Sequence, residues 1–114
     1  GWIDATAHRL SRRERERVKK ALLTFLRQEG SLEEKADQAS ILRAVLRHLA
    51  AGRANWLLIG LEDLWLETRQ QNIPGQASGN RNWNGKARLA MERFTIDRRV
   101  VELLRSIDAI RRGR

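Results

Sequence analysis

The sequence predicts a mainly α-helical chain, three to four helices with one or a few short strands. Three observations lead there. Apolar residues recur at helical spacing in three stretches, each with its own start or stop signal. Trp56-Leu57-Leu58-Ile59-Gly60-Leu61 is a short unbroken apolar run, which reads as a buried strand. That run is followed by a long polar stretch, residues 70–83, holding the only proline and two of the eight glycines.

The first helix is predicted over Ser11–Gly30. Ser11-Arg12-Arg13-Glu14 has the form of a capping box, a hydroxyl acceptor with a glutamate three residues on. Val18, Leu22, Phe25 and Leu26 follow at helical spacing, Ala21 and Leu23 widen the stripe, and Gly30 suits the residue just past a helix end. A second helix starts at either Leu32 or Asp37 and runs to Ala51. Its stripe is Ile41, Leu42, Val45, Leu46 and Leu49, and Gly52 ends it. Glu33 and Glu34 read as first-turn acids beside a helix N-terminus. The strand is placed at Asn55–Leu61, with a short helical turn from Leu61 to Leu66. Asp63 either caps that turn or lines a binding mouth. The last helix starts near Thr95, an N-cap candidate, with Val100, Val101, Leu104, Ile107 and Ile110 as its stripe. Trp2, Trp56 and Trp65 read as core.

A lone strand cannot satisfy its backbone, because each peptide group needs a ladder partner. If Asn55–Leu61 is a strand, its neighbours lie outside this chain. A strand followed by a loop of amides, Pro-Gly and an aromatic is also how α/β barrels present ligand-binding groups at the carboxyl ends of their strands.

Composition narrows the function classes. With 41% hydrophobic residues the chain is too apolar for a disordered tail. It contains no cysteine, which removes disulfides and thiolate metal sites and suits a reducing, cytoplasmic setting. No apolar run approaches the ~20 residues that span a bilayer, and no leader pattern opens the chain. Residues 1–114 read as a single unit. The net charge of +9 raises a nucleic-acid reading. Basic residues cluster at Arg12-Arg13, Arg15, Arg17, Lys19-Lys20, Arg98-Arg99 and Arg111-Arg112-Arg114. Glu14 and Glu16 interrupt the first cluster and offer helical partners to Arg17, Lys19 and Lys20. Zinc-finger spacing, an RNP-like aromatic strand and basic-region heptads are all missing from the sequence. The basic runs therefore read as solvated helix faces, and nucleic acid is not an expected partner. A basic helical module binding nucleic acid or protein is the alternative reading.

No independent catalytic set is visible. Glu33 and Glu34 are adjacent and, on a helix, do not converge on one bond. His8 and His48 are far apart in sequence. His48 closes a helix, where an imidazole meets free carbonyls. The sequence shows neither a Ser-His-Asp arrangement nor metal-ligand spacing, and no cofactor is expected.

The order strand, Glu62-Asp63-Leu64, Asn72-Ile73-Pro74-Gly75, Ser78-Gly79-Asn80, Asn82-Trp83 resembles the C-terminal end of the 4-α-glucanotransferases (amylomaltase, or disproportionating enzyme). Asn72-Ile73-Pro74-Gly75 is similar to the family's Asn-x-Pro-Gly loop, and Asn82-Trp83 to its Asn-Trp pair. Gly1-Trp2 resembles a Gly-Trp that follows the family's catalytic His-Asp-Asn segment. One departure is plain: the family often continues with arginines after Asn-Trp, whereas here Asn84-Gly85-Lys86-Ala87-Arg88 follows. The resemblance implies the last part of a (β/α)8 barrel that cuts an α-1,4-glucosidic bond and passes the glycosyl unit to another glucan. Retaining chemistry of this kind needs two carboxylates about 5–5.5 Å apart. By resemblance these, and a third carboxylate, would lie upstream of Gly1, so no catalytic residue is assigned here. The implied partners are an α-1,4-glucan, the upstream barrel and, through uncovered surface, a second copy of the chain. No membrane partner is expected.

Asn72, Pro74, Gly75 and Trp83 are the candidate substrate-binding residues. The Asn72 carboxamide offers donors and acceptors that suit sugar hydroxyls, as the family's asparagine does; an asparagine closing a turn before Pro-Gly is the other reading. Trp83 either stacks on a sugar face or anchors its loop by packing.

Overall fold

The computed structural model describes residues 5–68 and 87–113. In chain order these form α1 (Ala5–Gln28), α2 (Gln38–Ala51), a short 3-10 helix (Leu61–Trp65), α3 (Met91–Phe94) and α4 (Arg98–Arg112). The chain divides into two compact units, Gly1–Val45 and Leu46–Arg114, with the boundary inside α2.

In the first unit α1 begins six residues earlier than its sequence signal. Ser11 is therefore an interior helical residue, and the capping box predicted there does not form. The preceding Ala5-Thr6-Ala7-His8-Arg9-Leu10 contains no helix breaker and two alanines, so propagation continues through it. Glu14 instead accepts from Arg17 at 3.0 Å on the exposed face. The helix ends as its glycine predicts. Gly30 takes φ +68°, its N–H bonds the Arg27 carbonyl at 2.9 Å, and the Ser31 N–H bonds that of Leu26 at 2.9 Å. This is the Schellman pattern, which satisfies two carbonyls that the helix end leaves open. Arg27 donates to the Glu34 carbonyl at 2.8 Å and ties down the connector.

Asp37, one of the two expected starts, is where α2 begins. Its Oδ1 accepts from the Ser40 N–H at 2.8 Å, and its carbonyl accepts from the Ile41 N–H at 3.0 Å. Glu33 and Glu34 sit in the connector rather than in a first helical turn. Leu26, Leu32 and Ala44 form the buried core of this unit, with Leu23, Ala36, Ile41 and Val45 packed around them. The α1 stripe is only partly used. Leu26 is buried, whereas Val18 is 58% exposed and Leu22 is also exposed.

Among the described residues of the second unit, Leu46, Ala50, Leu64, Val100, Leu103 and Ile107 are buried. α4 starts at Asp97, not at Thr95: the Asp97 carboxylate accepts from the N–H groups of Arg99 (2.9 Å) and Val100 (3.3 Å). Thr95 instead closes α3 and donates its hydroxyl to the Glu92 carbonyl at 3.2 Å. Of the expected α4 stripe, Val100 and Ile107 are buried and Leu104 is exposed. Val101 and Ile110 are half-buried, and Leu103, one position earlier than Leu104, is the buried residue between Val100 and Ile107. Arg47 of α2 donates to Ser106 of α4 at 3.3 Å.

Asn55–Leu61 is not a strand. Residues 56–60 are neither helical nor laddered, and among the described residues there is no strand. The physical reason is the one that makes a lone strand untenable, the lack of a neighbouring backbone. The segment nonetheless alternates: Leu57 and Ile59 are half-buried, while Trp56 is 85% and Leu58 91% exposed. Trp56 is therefore a surface residue, not core. Trp65 is half-buried, and Trp2 lies outside the described residues. The helical turn expected over Leu61–Leu66 does form, as the 3-10 helix with Leu66 closing it.

Two outcomes follow from the helix ends. At Gly30 a Cβ would meet nothing within 4 Å, so only the left-handed backbone opposes a side chain. Gly30→Ala should cost about 1–2 kcal/mol, measurable as a lower urea midpoint with an unchanged slope. At Asp37 the side-chain bond to Ser40, then the Ser40 N–H, holds the carboxyl below its ordinary 3.8. Its folded value lies below the unfolded one, so its contribution is complete above the unfolded value and is lost as pH falls through the folded value. Circular dichroism should show helix content falling as pH drops below 3.8, and Asp37→Asn should flatten that part of the titration.

Candidate functional site

The four candidate substrate-binding residues, Asn72, Pro74, Gly75 and Trp83, lie outside the described residues, within 69–86. What is described is the backbone on either side. The incoming side is the extended segment 56–60, then the 3-10 helix. Gly60 sits at the N-cap with φ −64° and ψ 131°, and no side chain caps the helix there. Asp63, one candidate for that cap, is exposed, and its Oδ2 lies 2.9 Å from where a Cβ on Gly60 would stand. Glycine at position 60 therefore leaves room for the Asp63 carboxylate. Glu62 and Asp63 are neighbours on a helix of three residues per turn, so they point about 120° apart and cannot bracket one bond.

The turn closes on itself through backbone bonds. The Asp63 N–H bonds the Gly60 carbonyl at 3.1 Å, the Leu66 N–H bonds that of Asp63 at 3.1 Å, and the Glu67 N–H bonds that of Glu62 at 2.9 Å. Leu66 has φ +55°, a left-handed conformation unfavourable for a branched side chain and held here by the two flanking bonds. Leu64 is buried, and the Trp65 ring meets Phe94 of α3 with centroids 6.2 Å apart and planes tilted by 39°.

On the outgoing side, Arg88 donates from its guanidinium to the Trp65 carbonyl. The chain before residue 69 and the chain after residue 86 are thus fastened together, two arms of one stem. The Trp65 indole Nε1 is buried there with no hydrogen-bond partner among the described residues. Sequence reading did not find this stem. Arg88 and Trp65 are 23 residues apart, and no local pattern marks an arginine as a donor to a distant carbonyl. Among the described residues, no three His, Cys, Asp or Glu side chains come together as a metal site. No helix there is long and apolar enough to cross a membrane.

The sequence model of the 4-alpha-glucanotransferase family matches residues 1–91, 91 of the 114 residues. The chain belongs to the 4-alpha-glucanotransferase family. No curated protein and no solved structure matches the chain. The 4-alpha-glucanotransferase match takes in α1, α2, the 3-10 helix and all of 69–86, and it ends at Met91, the first residue of α3. It therefore covers both arms of the stem, whereas α4 falls outside it.

Proposed function

We propose that this chain is the C-terminal portion of a 4-alpha-glucanotransferase that moves α-1,4-glucan segments between maltooligosaccharides. In that reading residues 55–61 become the last barrel strand once neighbouring strands pair with them. Residues 69–86 form a substrate-side loop at its carboxyl end, where barrels carry their ligand-binding groups. Asn72 offers its carboxamide to sugar hydroxyls, Pro74-Gly75 shapes the turn beside it, and Trp83 supplies an apolar face. The catalytic carboxylates belong to upstream barrel segments, so the chain alone is not catalytic. The parent would work in the cytoplasm on glycogen-derived maltodextrins, with no cofactor.

The single observation that carries this reading is the family match across residues 1–91. The alternating exposure of 56–60 supports it, since that is the pattern of a strand awaiting partners. So does the bond from Arg88 to Trp65, which fastens the chain before residue 69 to the chain after residue 86.

Without nucleophile and acid, the purified chain should produce no glucose or longer dextrins from maltotriose above the buffer background. Product rising in proportion to the amount of chain, with contaminants removed, would defeat the reading. In a protein with the upstream barrel restored, Asn72→Ala removes one neutral hydrogen bond of about 0.5–1.5 kcal/mol. A several-fold loss of kcat/KM with little change in Tm is expected. A lower Tm with kcat/KM unaltered would instead mark Asn72 as a turn residue only.

A further inference from the structure

Arg111, in the last turn of α4, reaches back over more than fifty residues to the chain just before the extended segment. Its Nη1 donates to the Ala54 carbonyl at 2.8 Å and its Nη2 to the Asn55 carbonyl at 2.7 Å. In an extended strand successive carbonyls point to opposite sides, so one planar guanidinium cannot take both. The two bonds coexist because the chain bends at Asn55. The bend thus fixes where the extended run begins, at Trp56, and the fork fixes the bend.

Little else holds this part of the backbone. Among the described residues, no backbone hydrogen bond involves residues 56–59, and only Leu57 and Ile59 are half-buried. Arg111 is itself half-buried, unlike its neighbour Arg112, which is exposed and paired with Asp108 at 2.9 Å. A lysine could not do the same, because its ammonium is a point donor without the planar fork. Arg111 also lies beyond residue 91, where the family match ends.

We propose that Arg111 is a positioning residue: by forking the carbonyls of Ala54 and Asn55 it sets the start of the 56–60 segment and, through the 3-10 helix, the placement of the Trp65–Arg88 stem. Its consequence for substrate rests on the barrel reading above; its structural part does not.

The test uses the 114-residue chain, labelled with 15N, and heteronuclear NOE values for the amides of 54–60. Arg111→Ala should lower these values while those of α4 remain helical and rigid. Arg111→Lys should lower them nearly as far, since charge without the fork is insufficient. Arg112→Ala should leave them as in the unaltered chain. If Arg111→Ala melts α4, Arg111→Lys decides the matter. Unchanged values in 54–60 with α4 intact, or equal loosening in Arg112→Ala, would overturn the proposal. In the restored barrel, Arg111→Lys should raise KM several-fold with kcat little changed. A restored protein with native Arg111 that transfers no glucan would sink the barrel reading while the NOE result stands on its own.

Discussion

A backbone drawn out into an extended run leaves its N–H and C=O groups pointing sideways, and something must receive them. In residues 56–60 that requirement is unmet by any ladder among the described residues. The second unit is arranged around the consequence. α4 sends Arg111 to the two carbonyls that precede the run, and the 3-10 helix gathers the backbone immediately after it. Leu57 and Ile59 turn inward while Trp56 and Leu58 stand in solvent. The segment is held at its ends and at alternate side chains, with its middle open. A bare edge with exposed apolar residues invites another strand.

The helix ends show a different regime, in which local chemistry is enough. The glycine at position 30, Asp37 and Asp97 each satisfy orphan helix groups within a few residues of themselves. Such caps act over one turn and need no partner from elsewhere. The surface ion pairs Arg17–Glu14, Arg98–Glu102 and Arg112–Asp108 are equally local, but their side chains are all more than half exposed. Exposed pairs contribute about 0–1 kcal/mol each. They let a chain of net charge +9 space its charges along helices without holding the fold together.

For the candidate site the division runs between identity and geometry. Asn72-Ile73-Pro74-Gly75 and Asn82-Trp83 were legible as motifs because a motif is a local string, and the family match contains both. The stem on either side of residues 69–86 was not legible. Arg88 to Trp65 and Trp65 to Phe94 join residues 23 and 29 positions apart, and nothing in either local string names the other. Leu66 in a left-handed conformation was equally invisible, since sequence offers glycine or asparagine as the signal for that backbone and leucine hides it.

By itself the sequence determined the mainly helical class, the helix ends at Gly30 and Gly52, the short turn after Leu61 and the family, and it narrowed the start of α2 to Leu32 or Asp37. Each rests on spacing or on a residue type acting within a turn of its own position. Tertiary structure decided what spacing leaves free. It chose Leu103 over Leu104 as the inward residue of α4, left Val18 and Leu22 in solvent, and put Trp56 on the surface. Periodicity shows that a helix or strand has an apolar side, but burial also requires something on the other side to cover it. It also decided that an apolar run with every local mark of a strand would be none here, because a strand is a relation between two backbones and one sequence segment supplies only the first.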